Sequence, residues 1–251
     1  MKSTIYVGAA IAGAMLVSGC ATERAAGELI ADPYVETNRS IHDFNKGLDS
    51  AVLKPVSEAY GAVTPDFLQM MISNELKHLQ LPGIFINRLL QAEAEKAGIA
   101  VGRFGVNTVL GIGGLFDPAT DLGLPYEPTD FGVTLATWGF DEGVYHELPF
   151  FGPATTRSAV GRVVNFALDP TILLTAGVVE AGQVVSIVAQ ARTPVEIVNA
   201  RHENAELIDD VFYRSDDSYV TARSGFIQNR RRVVAGGETD TEELPDIFSE
   251  E

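Results

Sequence analysis

The residue with the clearest chemistry is Cys20. It is the only cysteine in the chain, and it follows Val17-Ser18-Gly19 and precedes Ala21. Ahead of it, Lys2 supplies a positive start. Ile5 to Val17 is an apolar or small-residue stretch with the length of a signal-peptide core, short for a membrane span. Small residues before such a cysteine are the pattern of a bacterial lipobox. The thiol takes a diacylglycerol thioether, and cleavage ahead of it frees an amine for a further acyl chain. One acyl chain holds weakly, at about 0.8 kcal/mol per buried methylene, whereas two or three hold lastingly. Residues 1–19 are therefore expected to be removed. Ala21 stands where an Asp would favour inner-membrane retention, so the expected place is the outer membrane, facing the periplasm. With Cys20 in the anchor, no internal disulfide and no thiolate metal site are expected. The plainer alternative is an ordinary signal peptide with an incidental cysteine.

Other chemistry is hard to find. No G-x-S-x-G elbow occurs, and Gly111-Ile112-Gly113-Gly114 lacks the spacing of a phosphate loop. No nucleotide or other cofactor is expected. His42, His78, His146 and His202 show no metal-ligand spacing, and His202 beside Glu203 and Glu206 reads as a solvated face. A dispersed Ser/His/Asp triad stays open, because triads assemble in space. Arg230-Arg231-Arg232 reads either as charge balance beside an acidic tail or as a contact for lipid phosphates. Met70-Met71 reads as core rather than as a lipid groove. The formal net charge is −16, and removing 1–19 takes away only the Lys2 charge. Such a chain repels nucleic acid and anionic headgroups, so membrane contact must be lipid-anchored and apolar.

The elements expected to position these residues are mostly helical. Hydrophobic residues make up 46% of the chain against 21% charged, enough for a buried core. Residues 20–31 read as a lipidated tether, 32–237 as one helical domain and 238–251 as a disordered acidic tail. Asp32-Pro33 reads as an N-cap with Pro in the first turn, leading into Ile41, Phe44, Leu48 and Val52 at helical spacing, with Pro55 ending or kinking that helix. A second helix is expected from Asp66, with Phe67, Met70 and Met71 on one face. A third is expected after Pro82, with Ile84, Phe85, Leu89 and Leu90 inward; Gly98 breaks it or it runs on to Leu110. Gly111 to Gly152 is crowded with Gly, Pro and aromatics and reads as irregular structure, either a folded cover or the lining of an amphipathic cavity. Pro153 to Leu168 is expected to be helical, with Val160, Val164 and Leu168 in register. Thr171 to Ala191 is apolar but interrupted by Glu180, Gly182 and Gln183, so it reads as a buried or interfacial helix. Thr193-Pro194-Val195-Glu196 reads as a capping box opening a long helix through Ile197, Leu207, Ile208, Val211 and Phe212.

Several strings, taken in order, resemble the MlaA/VacJ lipoprotein family. They are Asp32-Pro33-Tyr34-Val35-Glu36-Thr37-Asn38-Arg39 with Phe44-Asn45, and Arg103-Phe104-Gly105-Val106-Asn107-Thr108-Val109-Leu110-Gly111-Ile112-Gly113-Gly114-Leu115-Phe116-Asp117. Asp130-Phe131-Gly132, Leu148-Pro149-Phe150-Phe151-Gly152-Pro153, Asp169-Pro170 and Ser215-Asp216-Asp217-Ser218-Tyr219 follow. The resemblance runs from Asp32 to about Gly237. The departures are Thr37, where a Phe is common, Lys46, where an apolar residue is common, and one extra residue after Pro33.

The resemblance implies a mainly α, ring-like domain embedded in the inner leaflet of the outer membrane, with the irregular Gly/aromatic-rich segment at its centre. It implies removal of mislocalised phospholipid from the outer leaflet through an amphipathic channel, delivery to a periplasmic carrier, MlaC, and association with a trimeric porin. On this reading the protein is not an enzyme. Leu110, Ile112, Leu115 and Phe116 are expected near the lipid path, with Gly111, Gly113 and Gly114 letting the wall bend. Asn38, Arg39 and Asn107 are expected as polar contacts, each equally open to a role as cap or structural hydrogen bond. A porin-binding scaffold and a lipid-cleaving hydrolase are the other classes.

Overall fold

The computed structural model describes residues 29–169 and 183–236. Cys20, most of the Thr171–Ala191 run and the acidic tail lie outside them. The described chain is mainly helical: α1 (Val35–Leu48), α2 (Lys54–Val63), α3 (Asp66–Leu90), α4 (Ala94–Val109), α5 (Pro118–Asp121), α6 (Phe131–Thr137), α7 (Thr156–Leu168), α8 (Gln183–Glu203), α9 (Ala205–Asp209) and α10 (Ser218–Val234). Between α6 and α7 lies a hairpin, β1 (Tyr145–Leu148) against β2 (Gly152–Thr155), paired from Tyr145 with Thr155 to Leu148 with Gly152.

Prolines account for most differences from the sequence reading. Pro55 does not end the helical run: the chain widens into a π-helical turn at Asp49–Leu53 and continues as α2, with Pro55 in its first turn. Pro82 lies inside the single 25-residue helix α3 rather than opening a new one. An interior proline costs about 3 kcal/mol, and burial of Leu81 and Ile84 against Ala100 of α4 offsets it. Leu89 and Leu90 face outward, as do Phe67 and Met70. Pro194 likewise sits inside α8, which starts upstream at Gln183 and stops at Glu203. The expected continuation through Phe212 is broken into α9 and a second π-helical segment at Asp210–Arg214. Gly98 does not break α4. The turn comes earlier, at Gln91 to Glu93, where Ala92 takes φ +60°.

Three boundaries also move. Asp32 does not cap α1, which starts after Tyr34. Its buried carboxylate accepts from Asn38 Nδ2 at 2.8 Å, from Arg223 Nη1 at 2.7 Å and from the Tyr219 hydroxyl. Ile30 and Ala31, at the end of the expected tether, are buried: Ile30 packs with Tyr145, Tyr219 and Ile227, and Tyr145 N donates to Ala31 O. The expected helix from Pro153 begins at Thr156, because Pro153 is in β2 and Thr155 forms a capping box with Ser158.

The packing closes on itself. From α1 through the π turn, the helices touch in the order α2, α8, α3, α6. Helix α6 contacts α7 and α10, both contact β2, and β1 returns to α1. Helix α6 crosses α7 at close range. A Cβ on Gly161 would lie 2.4 Å from Gly132 N, so only glycine lets these backbones meet.

What is buried is unusual. Among the described residues Asp49, Glu147, Arg88, Arg103 and Arg201 are inside, while Val63 (79% exposed), Val109 (76%) and Ile112 (67%) are outside. Buried charges persist only when paired or hydrogen-bonded: Asp49, Arg88, Arg103 and Arg201 are in ion pairs, and Glu147 accepts from the Tyr145 hydroxyl. Arg201 grips Asp49 at 2.8 and 3.1 Å, and Tyr213 donates to Asp49 at 2.7 Å. Arg103 makes two 2.8 Å bonds to Asp117. The frame is tied by polar groups, and much of its apolar surface faces out. No helix among the described residues is long and apolar enough to cross a membrane.

Candidate functional site

Inside the circuit lies a cavity of about 630 Å³. Helix α3 lines it with Leu79, Gln80, Ile84, Ile86 and Asn87, and the approach to α6 with Pro128, Thr129 and Asp130. The hairpin contributes Phe151, α7 and its end Arg162, Asn165, Phe166 and Asp169, α8 Arg192 and Glu196, and α10 Arg230 and Val233. The lining is amphipathic: aliphatic and aromatic side chains alternate with amides and ions.

Each polar group is positioned by an identifiable bond. Asp130 caps α6, accepting from Gly132 N at 2.7 Å and Val133 N at 3.1 Å, and pairs with Arg230 Nη2 at 2.7 Å. Burial alone raises the Asp130 pKa, but the Arg230 guanidinium and these two amides outweigh it and hold the carboxyl below the usual aspartate range. Asn165 Oδ1 accepts from Phe131 N at 3.1 Å, fixing α7 to the start of α6. Asn87 accepts from Thr134 Oγ1 at 2.9 Å, and Thr134 accepts from Gln91 at 2.9 Å. Gln80 donates to Glu196 at 3.0 Å and accepts from the Tyr126 hydroxyl at 2.8 Å. Arg192 pairs with Asp169 at 2.7 Å. Arg162 differs: its fork donates to two backbone carbonyls, Phe151 O at 3.2 Å and Pro153 O at 2.8 Å.

The structure does not bring the sequence-chosen path residues to this cavity. Leu110, Gly111, Ile112, Gly113, Gly114, Leu115 and Phe116 form a knuckle after α4, and none of them is in the lining. Leu110 and Ile112 are exposed, Leu115 and Phe116 half-buried, and Phe116 leans on Phe67 with ring centres 6.3 Å apart. The three glycines differ in kind. A Cβ on Gly111 would meet Phe116 O at 2.3 Å, and one on Gly114, at φ +106°, would meet His78 Cγ at 2.5 Å; Gly113 has open space. An added methyl would therefore collide at Gly111 and Gly114 and fit at Gly113.

The expected polar contacts hold the fold together. Asn38 is buried, donating to Asp32 and accepting from Glu147 N at 2.9 Å. Asn107 is buried, donating to Asp117 at 2.8 Å and accepting from Ala119 N at 3.1 Å. Arg39 pairs with Asp217 at 2.7 and 3.1 Å and lies over the Tyr219 ring. Of the arginine run, Arg230 takes Asp130, Arg231 takes Glu142 at 2.6 Å, and Arg232 donates to Asn229 at 2.9 Å. His202 stands edge-on to Tyr60, ring centres 5.5 Å apart, rather than on a solvated face.

Sequence reasoning did not single out Arg162, Gln80, Asn87, Asn165 or Arg192. One signal for Arg162 was present: it is a lone charge in the apolar run Ala159-Val160-Gly161-Arg162-Val163-Val164.

Comparison with known proteins agrees with this architecture. Residues 30–233 match the profile of the MlaA lipoprotein family. The chain belongs to that family. An uncharacterized protein of Rickettsia felis is 34% identical over 206 residues, covering 82% of this chain and 78% of its own. A Haemophilus influenzae relative named intermembrane phospholipid transport system lipoprotein MlaA is 30% identical over 258 residues, covering 96% of each chain. The Escherichia coli protein of the same name is 28% identical over 240 residues, covering 93% of this chain and 90% of its own. A chain solved in work on the structural basis for maintenance of bacterial outer membrane lipid asymmetry superposes with a TM-score of 0.66 at 27% identity, covering 81% of this chain and 99% of that one. The MlaA match begins at Ile30, the first fully buried residue of the described chain.

Proposed function

We propose that this protein is an outer-membrane lipoprotein, anchored through Cys20, that takes phospholipid out of the outer leaflet through its central cavity. The observation that carries this reading is the amphipathic cavity framed by a helical circuit that leaves large apolar side chains such as Val63, Val109 and Ile112 exposed. A phospholipid headgroup crossing hydrocarbon loses its water at a cost of several kcal/mol unless polar groups replace it. Asn87, Asn165, Gln80 and the cavity arginines are such groups, and Ile86, Phe151 and Phe166 suit acyl chains. Exposed Val63, Val109, Leu110 and Ile112 suit a ring seated in one leaflet, its outer wall against lipid. Leu110 and Ile112 then touch hydrocarbon outside the cavity, and the lipid path lies within it. The relatives named as intermembrane phospholipid transport lipoproteins support the same assignment.

The step is physical and breaks no covalent bond. With the net charge of −16, attachment by charge to anionic headgroups is disfavoured, so acylation of Cys20 carries it. Lipid leaving the cavity needs a soluble acceptor, the MlaC-type carrier, and a trimeric porin supports the ring in the bilayer.

The test is outer-leaflet phospholipid in a deletion strain, measured with an impermeant phospholipase on intact cells. A rise that is reversed by the wild-type gene and not by Cys20→Ser is expected. No rise, with the protein present in the outer membrane, leaves a scaffold role in its place.

A further inference from the structure

Three guanidiniums line the cavity, and they are not equivalent. Arg230 has Asp130 at 2.7 Å, and Arg192 has Asp169 at 2.7 Å. Among the described residues no carboxylate lies within ion-pair distance of Arg162, whose bonds go to the neutral carbonyls of Phe151 and Pro153. Burial, reinforced by the nearby Arg230 charge and only partly opposed by the carboxylates of Asp130 and Glu147 beyond ion-pair distance, pushes its pKa down from the usual arginine range. A guanidinium stays charged in a protein nonetheless. It is thus a partly desolvated cation, aimed beside Phe151 and one turn from Phe166, in a space open to a ligand.

Resting on the transport reading above, we propose that Arg162 binds the phosphodiester of a phospholipid held in the cavity. One N–H of each Nη is given to a carbonyl, so three of the five guanidinium N–H groups are left for phosphate oxygens, and such charge-assisted pairs are about twice as strong as neutral hydrogen bonds. The carbonyls of Phe151 and Pro153 aim the fork without neutralising it. Phe151 and Phe166 flank it with apolar surface for the glycerol and the first methylenes. Arg162 is therefore a pausing point that separates a phosphate-bearing lipid from a neutral one.

The test uses the full mature protein in detergent and measures affinity for dioctanoyl phosphatidylethanolamine, dioctanoylglycerol, glycerophosphoethanolamine and inorganic phosphate. Wild type should bind the phospholipid at least about tenfold more tightly than dioctanoylglycerol. Arg162→Gln should bring the two lipids together while still binding dioctanoylglycerol. An unchanged phospholipid preference in Arg162→Gln overturns the Arg162 site and leaves the transport reading standing. Failure of wild type to bind either lipid overturns both. Inorganic phosphate or glycerophosphoethanolamine binding as tightly as the lipid overturns the lipid as the source of the phosphate. Should Arg162→Gln fail to fold, Arg162→Lys carries the test, because it keeps the charge and loses the fork. A reduced preference then supports the site, and an unchanged one overturns it.

Discussion

Gly114→Ala is expected to destabilise the protein more than Gly113→Ala, although both glycines have positive φ and stand side by side. Gly113 takes φ +74° with nothing within 4 Å of where an added methyl would lie, whereas Gly114 takes φ +106° with His78 Cγ at 2.5 Å and Glu75 Oε2 at 2.6 Å. An L side chain at positive φ costs about 1–2 kcal/mol in either position. Overpacking adds about 1–3 kcal/mol at Gly114 alone. Relief by movement of His78 is limited, since its ring stacks on Phe104 with centroids 4.7 Å apart and planes 4° apart. At roughly 2–4 °C per kcal/mol for a domain of this size, Gly114→Ala should melt about 2–12 °C below Gly113→Ala. The assay is thermal unfolding of the purified mature proteins in detergent, followed by helical circular dichroism. Gly111→Ala, which would meet backbone oxygens of Phe116 and Asn107 at 2.3 and 2.6 Å, should also fall below Gly113→Ala. Equal melting temperatures for all three variants would refute the packing argument and restore the view of this segment as a pliable wall.

Asp117→Asn strands the buried Arg103 guanidinium, whose side chain is 3% exposed. Breaking a buried pair costs about 3–5 kcal/mol, so the melting temperature should fall by roughly 6–20 °C; a loss under about 2 °C would show that the pair does not brace the α4–α5 junction. Asp130 supplies a pH signature. Its folded pKa is depressed, so its contribution is present above the ordinary aspartate value of about 3.9 and is lost as pH falls through the lower folded value. The gap in melting temperature between wild type and Asp130→Asn should narrow below about pH 4. A gap that stays constant down to about pH 3 would mean that the Asp130–Arg230 pair contributes little.

Much of this protein was legible in one dimension. The helical spacing through Ile41, Phe44 and Leu48 and the ordered strings from Asp32 to about Gly237 led to the family and to a mainly helical fold. These are local properties: apolar period, small residues at fixed offsets, and motif order survive in the linear chain. The cavity did not. Its polar lining comes from α3, the turn before α6, the hairpin loop, α7, α8 and α10, and no spacing rule links Asn87 to Asn165 or Asp130 to Arg230 across 100 residues. Prolines misled for the same reason: whether Pro82 stops a helix depends on whether burial of its neighbours Leu81 and Ile84 exceeds the lost hydrogen bond, which the linear chain does not record, and nothing buried in the same way among the described residues explains Pro194 inside α8. The sign of burial was also hidden. In a protein whose buried interior is rich in salt bridges and whose exterior carries Val63, Val109 and Ile112, an apolar residue predicts the outside as readily as the core. Only closure of the helical circuit decides which faces meet each other and which are left exposed.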